Sequence, residues 1–365
     1  MELLRTLIRL ALEPTGSSCV DQAAPILHQA SSTDFFRAIQ TCELHRISPL
    51  VGFAIVRHEL EGGIPQSALS HFQKAHRKTL ISNMALMHVL TRVLKELKEQ
   101  DVVPVIWKGA VLADLFYPDL GTRRMGDIDF AIEPHLMQRA TDAFASAGFT
   151  ARRDLPTPDA IYFSNPSGIL FDVHYRVRLF EGHDQETLTI DLAPNRLDFP
   201  AIRVLEPNAM FAQLIHHLHG HRRDVGYLLL WLVDLAFVLR EWSDQLNFRR
   251  IVQYIPEPQH SLALVRAMNF LATECDLVVP DSLHRSHVNV VPLKLDEVLR
   301  SKRLVEWGLP SLRGWARLAA CRLGVWPGHG RPFPQCRDLL RWPVDMFHER
   351  RARKQWLRAD MEMPS

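Results

Sequence analysis

The spacing of apolar positions divides the chain into helical ends and a middle of mixed character. Near the start, Leu3, Leu4, Leu7, Ile8 and Ala11 recur at helical spacing, and so do Phe35, Phe36 and Ile39. A looser run of Leu50, Phe53, Ala54 and Val56 follows, until Gly62-Gly63-Ile64-Pro65 breaks it. The stripe Leu86, Leu90, Val93, Leu94 and Leu97 predicts a long amphipathic helix that ends among Lys95, Glu96, Lys98 and Glu99. Residues 1–100 therefore read as an N-terminal helical region.

After residue 100 the period changes. The stretch from Val102 to Trp107 is short, apolar and β-branched, which predicts a buried strand. Leu112, Leu115 and Phe116 give helical spacing from Gly109 to Tyr117, and Pro118 and Gly121 stop it. A strand with alternating acids and apolar residues comes next, around Asp127 to Phe130. Pro134 to Gly148 reads as a helix, with Pro134 near its first turn and Leu136, Ala140 and Phe144 on one stripe. Strands at 160–164 and 169–176 flank the turn Asn165-Pro166-Ser167-Gly168. This order predicts an α+β fold, a small mixed-sheet core over residues 101–205 between two helical flanks. From Pro207 onward the spacing is helical again, in Phe211, Leu214, Ile215 and Leu218 and then in Leu229, Leu232, Val233, Ala236 and Phe237. Pro280, Pro292, Pro327 and Pro334 divide the remainder of this C-terminal helical region, residues 206–365. No internal repeat or low-complexity tract is present.

Composition changes this picture little. The chain has 365 residues, 47% hydrophobic and 23% charged, which is ordinary for a globular protein and argues against wholesale disorder. A formal net charge of +2 selects no partner, and nucleic acid is not expected as one. The tail is basic, with Arg337, Arg341, Arg350, Arg351, Arg353, Lys354 and Arg358. It reads either as a solvated helical face or as a surface for an anionic partner. The five cysteines, Cys19, Cys42, Cys275, Cys321 and Cys336, are scattered and odd in number, so reduced thiols and a cytoplasmic location are expected. The start of the chain lacks a secretory pattern. The longest apolar stretch, Val225 to Leu239, is interrupted by Asp234 and falls short of the ~20 residues of a spanning helix. It predicts a buried helix and no membrane span.

The chemistry concentrates in three aspartates. Asp127 and Asp129 alternate with Ile128 and Phe130, so the acids share one strand face and the apolar pair points into a core. Two adjacent carboxylates on a half-buried strand repel unless a cation compensates them. Hard oxygen ligands favour Mg²⁺ or Mn²⁺. Asp172, in Phe171-Asp172-Val173-His174, offers a third carboxylate from a neighbouring strand. Lys108-Gly109 sits where a strand becomes a helix. Glycine there lets a backbone approach a phosphate, the helix start offers free N–H groups, and Lys108 offers a charge. A plain turn with a solvated lysine is the other reading. Arg123 and Arg124 fit phosphate oxygens, or pair with Asp119, or steady the metal-free carboxylates. His174 either touches substrate, or orients Asp172, or is a hydrogen-bonded core histidine. His217 and His221 have a zinc-like i, i+4 spacing, but Gly220 weakens the helix and no cysteine is near. Asp234 reads as a polar tie, with Arg222, Arg223 or a histidine as partner.

Lys108-Gly109, Leu115-Phe116-Tyr117-Pro118, Arg123 to Asp129 and Phe171-Asp172-Val173-His174 together resemble the uncharacterised bacterial nucleotidyltransferase family, within the polymerase-β-type nucleotidyltransferase superfamily. His45 to Leu50 upstream and Trp231-Leu232-Val233-Asp234-Leu235 downstream look like its helical parts, so the resemblance covers most of residues 40–240. It implies that Asp127, Asp129 and Asp172 are the catalytic and metal-binding acids. It implies that Lys108, Gly109, Arg123 and Arg124 bind a nucleoside triphosphate such as ATP, the co-substrate. The usual phosphate loop is Gly-Ser or Gly-Gly, whereas this chain has Lys108-Gly109-Ala110 and lacks the serine hydroxyl. Family members often lie in bacterial biosynthetic gene clusters. The expected function is metal-dependent transfer of a nucleoside monophosphate to an acceptor hydroxyl on a small molecule, sugar, peptide or protein. Two rivals are open: a non-catalytic interaction protein on the same fold, and a kinase-like transfer of the γ-phosphoryl group.

Overall fold

The computed structural model describes residues 1–13, 18–152, 159–177, 179, 185–280 and 292–306. The basic tail, Cys321, Cys336, Pro327 and Pro334 lie outside the described residues, as do the side chains of Arg222 and Arg223. The chain forms two compact units. The first comprises Met1–Phe211 and Arg240–Gln245, and the second comprises Ala212–Leu239 and Leu246–Ser365.

The first unit opens with five helices, α1 (Glu2–Leu12), α2 (Ser18–Gln29), α3 (Ser32–Leu44), α4 (Ser48–Arg57) and α5 (Gln66–Glu99). Local chemistry fixes their ends. Ser31 Oγ accepts from the Asp34 amide, and Asp34 Oδ2 accepts from the Ser31 amide, so α3 starts in a reciprocal capping box. Gly62 and Gly63 fall in a single 3₁₀ turn, and α5 begins directly after Pro65. At 34 residues, α5 buries the expected stripe of Leu86, Leu90, Val93, Leu94 and Leu97.

The sheet then builds from β1 (Val105–Trp107), α6 (Gly109–Leu115), β2 (Ile128–Ala131), α7 (Met137–Ser146), β3 (Thr150–Ala151), β4 (Ala160–Ser164), β5 (Leu170–His174), α8 (Gln185–Leu188), β6 (Thr189–Leu192) and β7 (Ile202–Leu205). The seven strands lie in the order β3-β4-β5-β2-β1-β7-β6. β1 runs antiparallel to β2 and parallel to β7, while β2 runs parallel to β5. β4 and β5 form the expected antiparallel hairpin. The α+β core on a mixed sheet is thus present, and β6 and β7 extend it beyond the strands that periodicity named.

One face of this sheet is a packed aromatic core. Ile128 and Phe130 are fully buried, as the alternation required. Phe130, Phe144, Phe149, Phe163 and Phe171 interlock, with Phe144 stacked on Phe163 at 4.2 Å and Phe149 edge-on to Phe171 at 5.1 Å. Helix α7 contributes Ala140 and Phe144 to this layer.

Among its described residues the second unit consists of helices and their connections, with no strand. Helix α9 (Pro207–Val225) enters it, and α10 (Leu229–Trp242), α11 (Phe248–Tyr254), α12 (Pro258–Glu274) and α13 (Leu295–Glu306) follow. The apolar residues Leu229 to Leu239 of α10 are buried, and Asp234 is buried among them. Arg266 of α12 meets Glu297 of α13 at 2.5 Å, and Glu274 Oε1 accepts from the Leu295 amide to cap α13. Among the described residues, no helix is long and apolar enough to cross a membrane.

Phe171 anchors the aromatic layer directly beneath the strand pair that carries the acids. Phe171→Ala is expected to lower stability by ~3–5 kcal/mol through lost burial and a residual cavity, read as a lower urea midpoint with an unchanged slope.

Candidate active site

Strand register draws the acids together. Asp129 of β2 lies directly opposite Trp107 of β1 on one side and Asp172 of β5 on the other. Asp172 in turn faces Tyr162 of β4. Facing residues share a side of the sheet, so Trp107, Asp129, Asp172 and Tyr162 form one row across it. Asp127 lies two residues before Asp129, just ahead of the first β2 residue. The aromatic core occupies the opposite face, so a packed layer backs the site.

Lys108 joins β1 to α6 with φ +53° and ψ −124°, in the region that side chains rarely adopt. This backbone setting accompanies an ion pair, Lys108 Nζ to Asp129 Oδ1 at 2.7 Å. Burial pulls the Lys108 ammonium down, but the charges of Asp129, Asp172 and Asp127 outweigh it and hold the group above its ordinary value. For Asp127 the balance runs differently. Burial comes first, Asp129 and Asp172 add repulsion, and the opposing pull of Lys108 and Arg123 is too small to prevent a raised carboxyl pKa. The same crowd acts on Tyr162, whose phenol is pushed up by burial and then by Asp172 and Asp127. One ammonium among three carboxylates leaves the row net negative.

The loop between α6 and β2 brings in the arginines. Arg123 is buried, and a Cβ placed on Gly109 would lie 3.3 Å from its Nη1. The bare Cα at Gly109 therefore gives the guanidinium its room. Arg124 is exposed. Helix α5 pins this loop from below: Asn83 Nδ2 donates to the carbonyls of Leu120 and Arg123 at 2.6 Å each. His76, also on α5, meets Asp119 at 2.7 Å, and Asp119 also accepts from the Gly121 amide. Asp119 is therefore engaged by His76, which gives it a partner other than the arginines. Gly121 is required by closeness, since a Cβ there would sit 2.6 Å from His76 Nε2.

Two neighbours of the acids were not singled out as site residues by the sequence pattern. Arg46, at φ +60° between α3 and α4, is solvent-exposed yet lies within electrostatic reach of Arg124, Asp127 and Arg123. Desolvation, then Arg124, holds its guanidinium below the ordinary range, with Asp127 opposing. Tyr162 was out of reach of the pattern, because closing the hairpin evenly on residues 165–168 sets it against Phe171, whereas the observed register is shifted by one residue and pairs it with Asp172.

His174 follows Asp172 by two residues on the same face. Its Nε2 lies 3.2 Å from Asp172 Oδ2, but Nε2 makes no hydrogen bond, and Asp172 Oδ1 is likewise buried without a hydrogen-bond partner. His174 is thus a half-buried residue turned to a carboxylate, and its Nε2 lacks the bond expected of a hydrogen-bonded core histidine. Asp129, Asp172 and His174 each offer one ligand atom, and these atoms lie within 4.8 Å of one another. The histidines of α9 form no such group among the described residues. His217 packs against His221 at 4.5 Å and against Trp231 at 4.8 Å, while His216 and His219 both lie beside His260.

The family model described as "Uncharacterised nucleotidyltransferase" matches residues 31–273. The chain belongs to this family. The matched span contains every residue of the row, the arginine loop and the helices from α3 to nearly the end of α12. Membership makes the chain an enzyme of the nucleotidyltransferase class. No curated protein sequence matches it. Among solved structures, it resembles the antibiotic-resistance factor ANT(2'')-Ia in solution, with 10% identity and a TM-score of 0.37 over 47% of this chain and 90% of that one. A crystal structure of ANT(2'')-Ia in complex with adenylyl-2''-tobramycin gives 10% identity and 0.38 over 47% and 96%. An antigenic nucleotidyltransferase-like protein from Paracoccidioides brasiliensis gives 16% identity and 0.37 over 53% and 93%.

For this nucleotidyltransferase the raised Asp127 pKa has a sign that can be checked. A carboxyl whose folded pKa exceeds its unfolded one favours folding only when protonated, so its contribution is lost as pH rises through the folded pKa. Asp127→Asn is therefore expected to stabilise the metal-free protein at pH 7, and the gain should vanish below the ordinary aspartate pKa of about 4. Denaturant midpoints of both proteins in EDTA, taken across that range, test this.

Proposed function

We propose that the row catalyses divalent-metal-dependent transfer of a nucleoside monophosphate from a nucleoside triphosphate to an acceptor hydroxyl. The observation that carries this reading is the direct pairing of Asp129 with Asp172 on parallel strands. Asp127 belongs to the same electrostatic group. The donor set suits Mg²⁺ or Mn²⁺: hard carboxylate oxygens, one of them buried without a hydrogen-bond partner, and more negative charge than Lys108 neutralises. Bound there, such an ion supplies Lewis-acid charge at the reacting phosphate.

The chain's residues then divide the work. Asp127 and Asp129 hold the metal. Asp172 completes the metal site and takes the proton of the acceptor hydroxyl. The acceptor oxygen bonds to the α-phosphorus, the bond from that phosphorus to the β-phosphate-bearing oxygen breaks, and pyrophosphate leaves. Lys108 and Arg123 place positive charge on the triphosphate, and Gly109 keeps the ground beside Arg123 free of a side chain. Arg124, with Arg46 within its electrostatic reach, forms an exposed cationic rim that suits the outer phosphates. The acceptor belongs to a biosynthetic pathway and presents a hydroxyl on a small molecule, sugar, peptide or protein.

Product identity separates this reaction from its kinase-like rival. Screening the four triphosphates with Mg²⁺ and Mn²⁺ should yield pyrophosphate and an acceptor heavier by one nucleotide. Release of a nucleoside diphosphate would instead mean phosphoryl transfer. Asp129→Asn should reduce transfer by at least about 100-fold while leaving the circular dichroism spectrum unchanged. Wild-type transfer by that variant would sink the mechanism.

A further inference from the structure

We infer that His174 is itself a metal ligand, which makes the site a mixed nitrogen–oxygen one that favours Mn²⁺ over Mg²⁺. The inference rests on the metal-dependent reading above and adds a residue to it. Four observations converge. His174 and Asp172 are two residues apart on β5 and share a side of the sheet. Nε2 of His174 and Oδ1 of Asp172 are both buried and both lack a hydrogen-bond partner, although the two side chains approach to 3.2 Å. One donor atom each from Asp129, Asp172 and His174 lie within 4.8 Å of one another, a span that a single ion can bridge. Across from His174 on β2 stands only the methyl of Ala131, while the Trp107 ring lies edge-on to the imidazole at 5.4 Å.

An imidazole that served only to orient Asp172 would donate a well-formed hydrogen bond to it. Here the nitrogen faces the carboxylate without one, and the carboxylate keeps a spare oxygen. Both atoms are satisfied together if a cation takes them. Lys108 already engages Asp129 Oδ1 from the β1 side, so the ammonium and the ligand group meet Asp129 from different elements. The chemistry of the donors sets the ion. A purely carboxylate site discriminates little between Mg²⁺ and Mn²⁺, whereas imidazole nitrogen raises affinity for transition metals and does little for Mg²⁺.

The test uses the full chain and Mn²⁺ alone as the probe. Pulsed electron paramagnetic resonance of bound Mn²⁺ should show coupling to an imidazole ¹⁴N in the wild type. That coupling should be absent in His174→Gln, which still binds Mn²⁺ through its carboxylates but about 10-fold more weakly. Its preference for Mn²⁺ over Mg²⁺ in competition titrations should fall by a similar factor. Asp129→Asn, which leaves His174 in place, should also lose the coupling and so ties the signal to this site if His174→Gln does not fold. Mn²⁺ bound to the wild type with no ¹⁴N coupling would overturn the inference and leave the carboxylate metal site standing. No Mn²⁺ binding sensitive to Asp129 would remove the metal reading itself, and the inference with it.

Discussion

Pairing β2 with β5 in parallel forces Asp129 and Asp172 side by side, and the rest of the site answers to that repulsion. Neighbouring strands lie about 5 Å apart, where two like charges at an effective dielectric of about 20 repel by roughly 3 kcal/mol. Lys108 offsets part of it by placing an ammonium against Asp129. Its own backbone is held at positive φ, a conformation that costs a non-glycine residue on the order of 1–3 kcal/mol. A strained residue at this junction is therefore coupled to the acids it neutralises. The aromatic layer on the other face keeps the strands from sliding apart to relieve the charge.

The cationic side of the site is built by a different route. No strand carries Arg123 or Arg124; they ride on a loop whose shape comes from Asn83 and His76 of α5. The N-terminal helices thus contribute more than bulk to the first unit. Through α5 they set where the guanidinium groups stand, and through the turn before α4 they add Arg46.

Much of this was legible in the chain. Alternation of Asp127, Ile128, Asp129 and Phe130 gave both the acid face and the core face, and the Asn165–Gly168 turn gave the β4–β5 hairpin. What escaped the pattern has physical causes. β6 and β7 are four residues each, with Asp191 and Arg203 in their middles, so their apolar period is too brief to register. Their pairing is stabilised in part by that Arg203–Asp191 contact across the strands, which no periodicity encodes. Arg46 is an ordinary polar residue in a helix connection, and only tertiary placement brings it to Asp127. His174 was visible as a neighbour of Asp172, but its unbonded nitrogen is a property of three-dimensional packing.

The strand order carries one more consequence. β4 and β5 meet through a short turn, so their hairpin closes with little loss of chain entropy. β2 and β5 are joined by a long crossover through α7, β3 and β4, and their parallel contact must close that entire loop. Closing that loop costs more chain entropy than closing the hairpin, and the cost precedes any reward from the contact. Tyr162 can therefore meet Asp172 within the hairpin alone, but Asp129 can meet it only once β2 has paired with β5. A chain that has closed only the hairpin is therefore spared the repulsion between Asp129 and Asp172 that the native sheet contains.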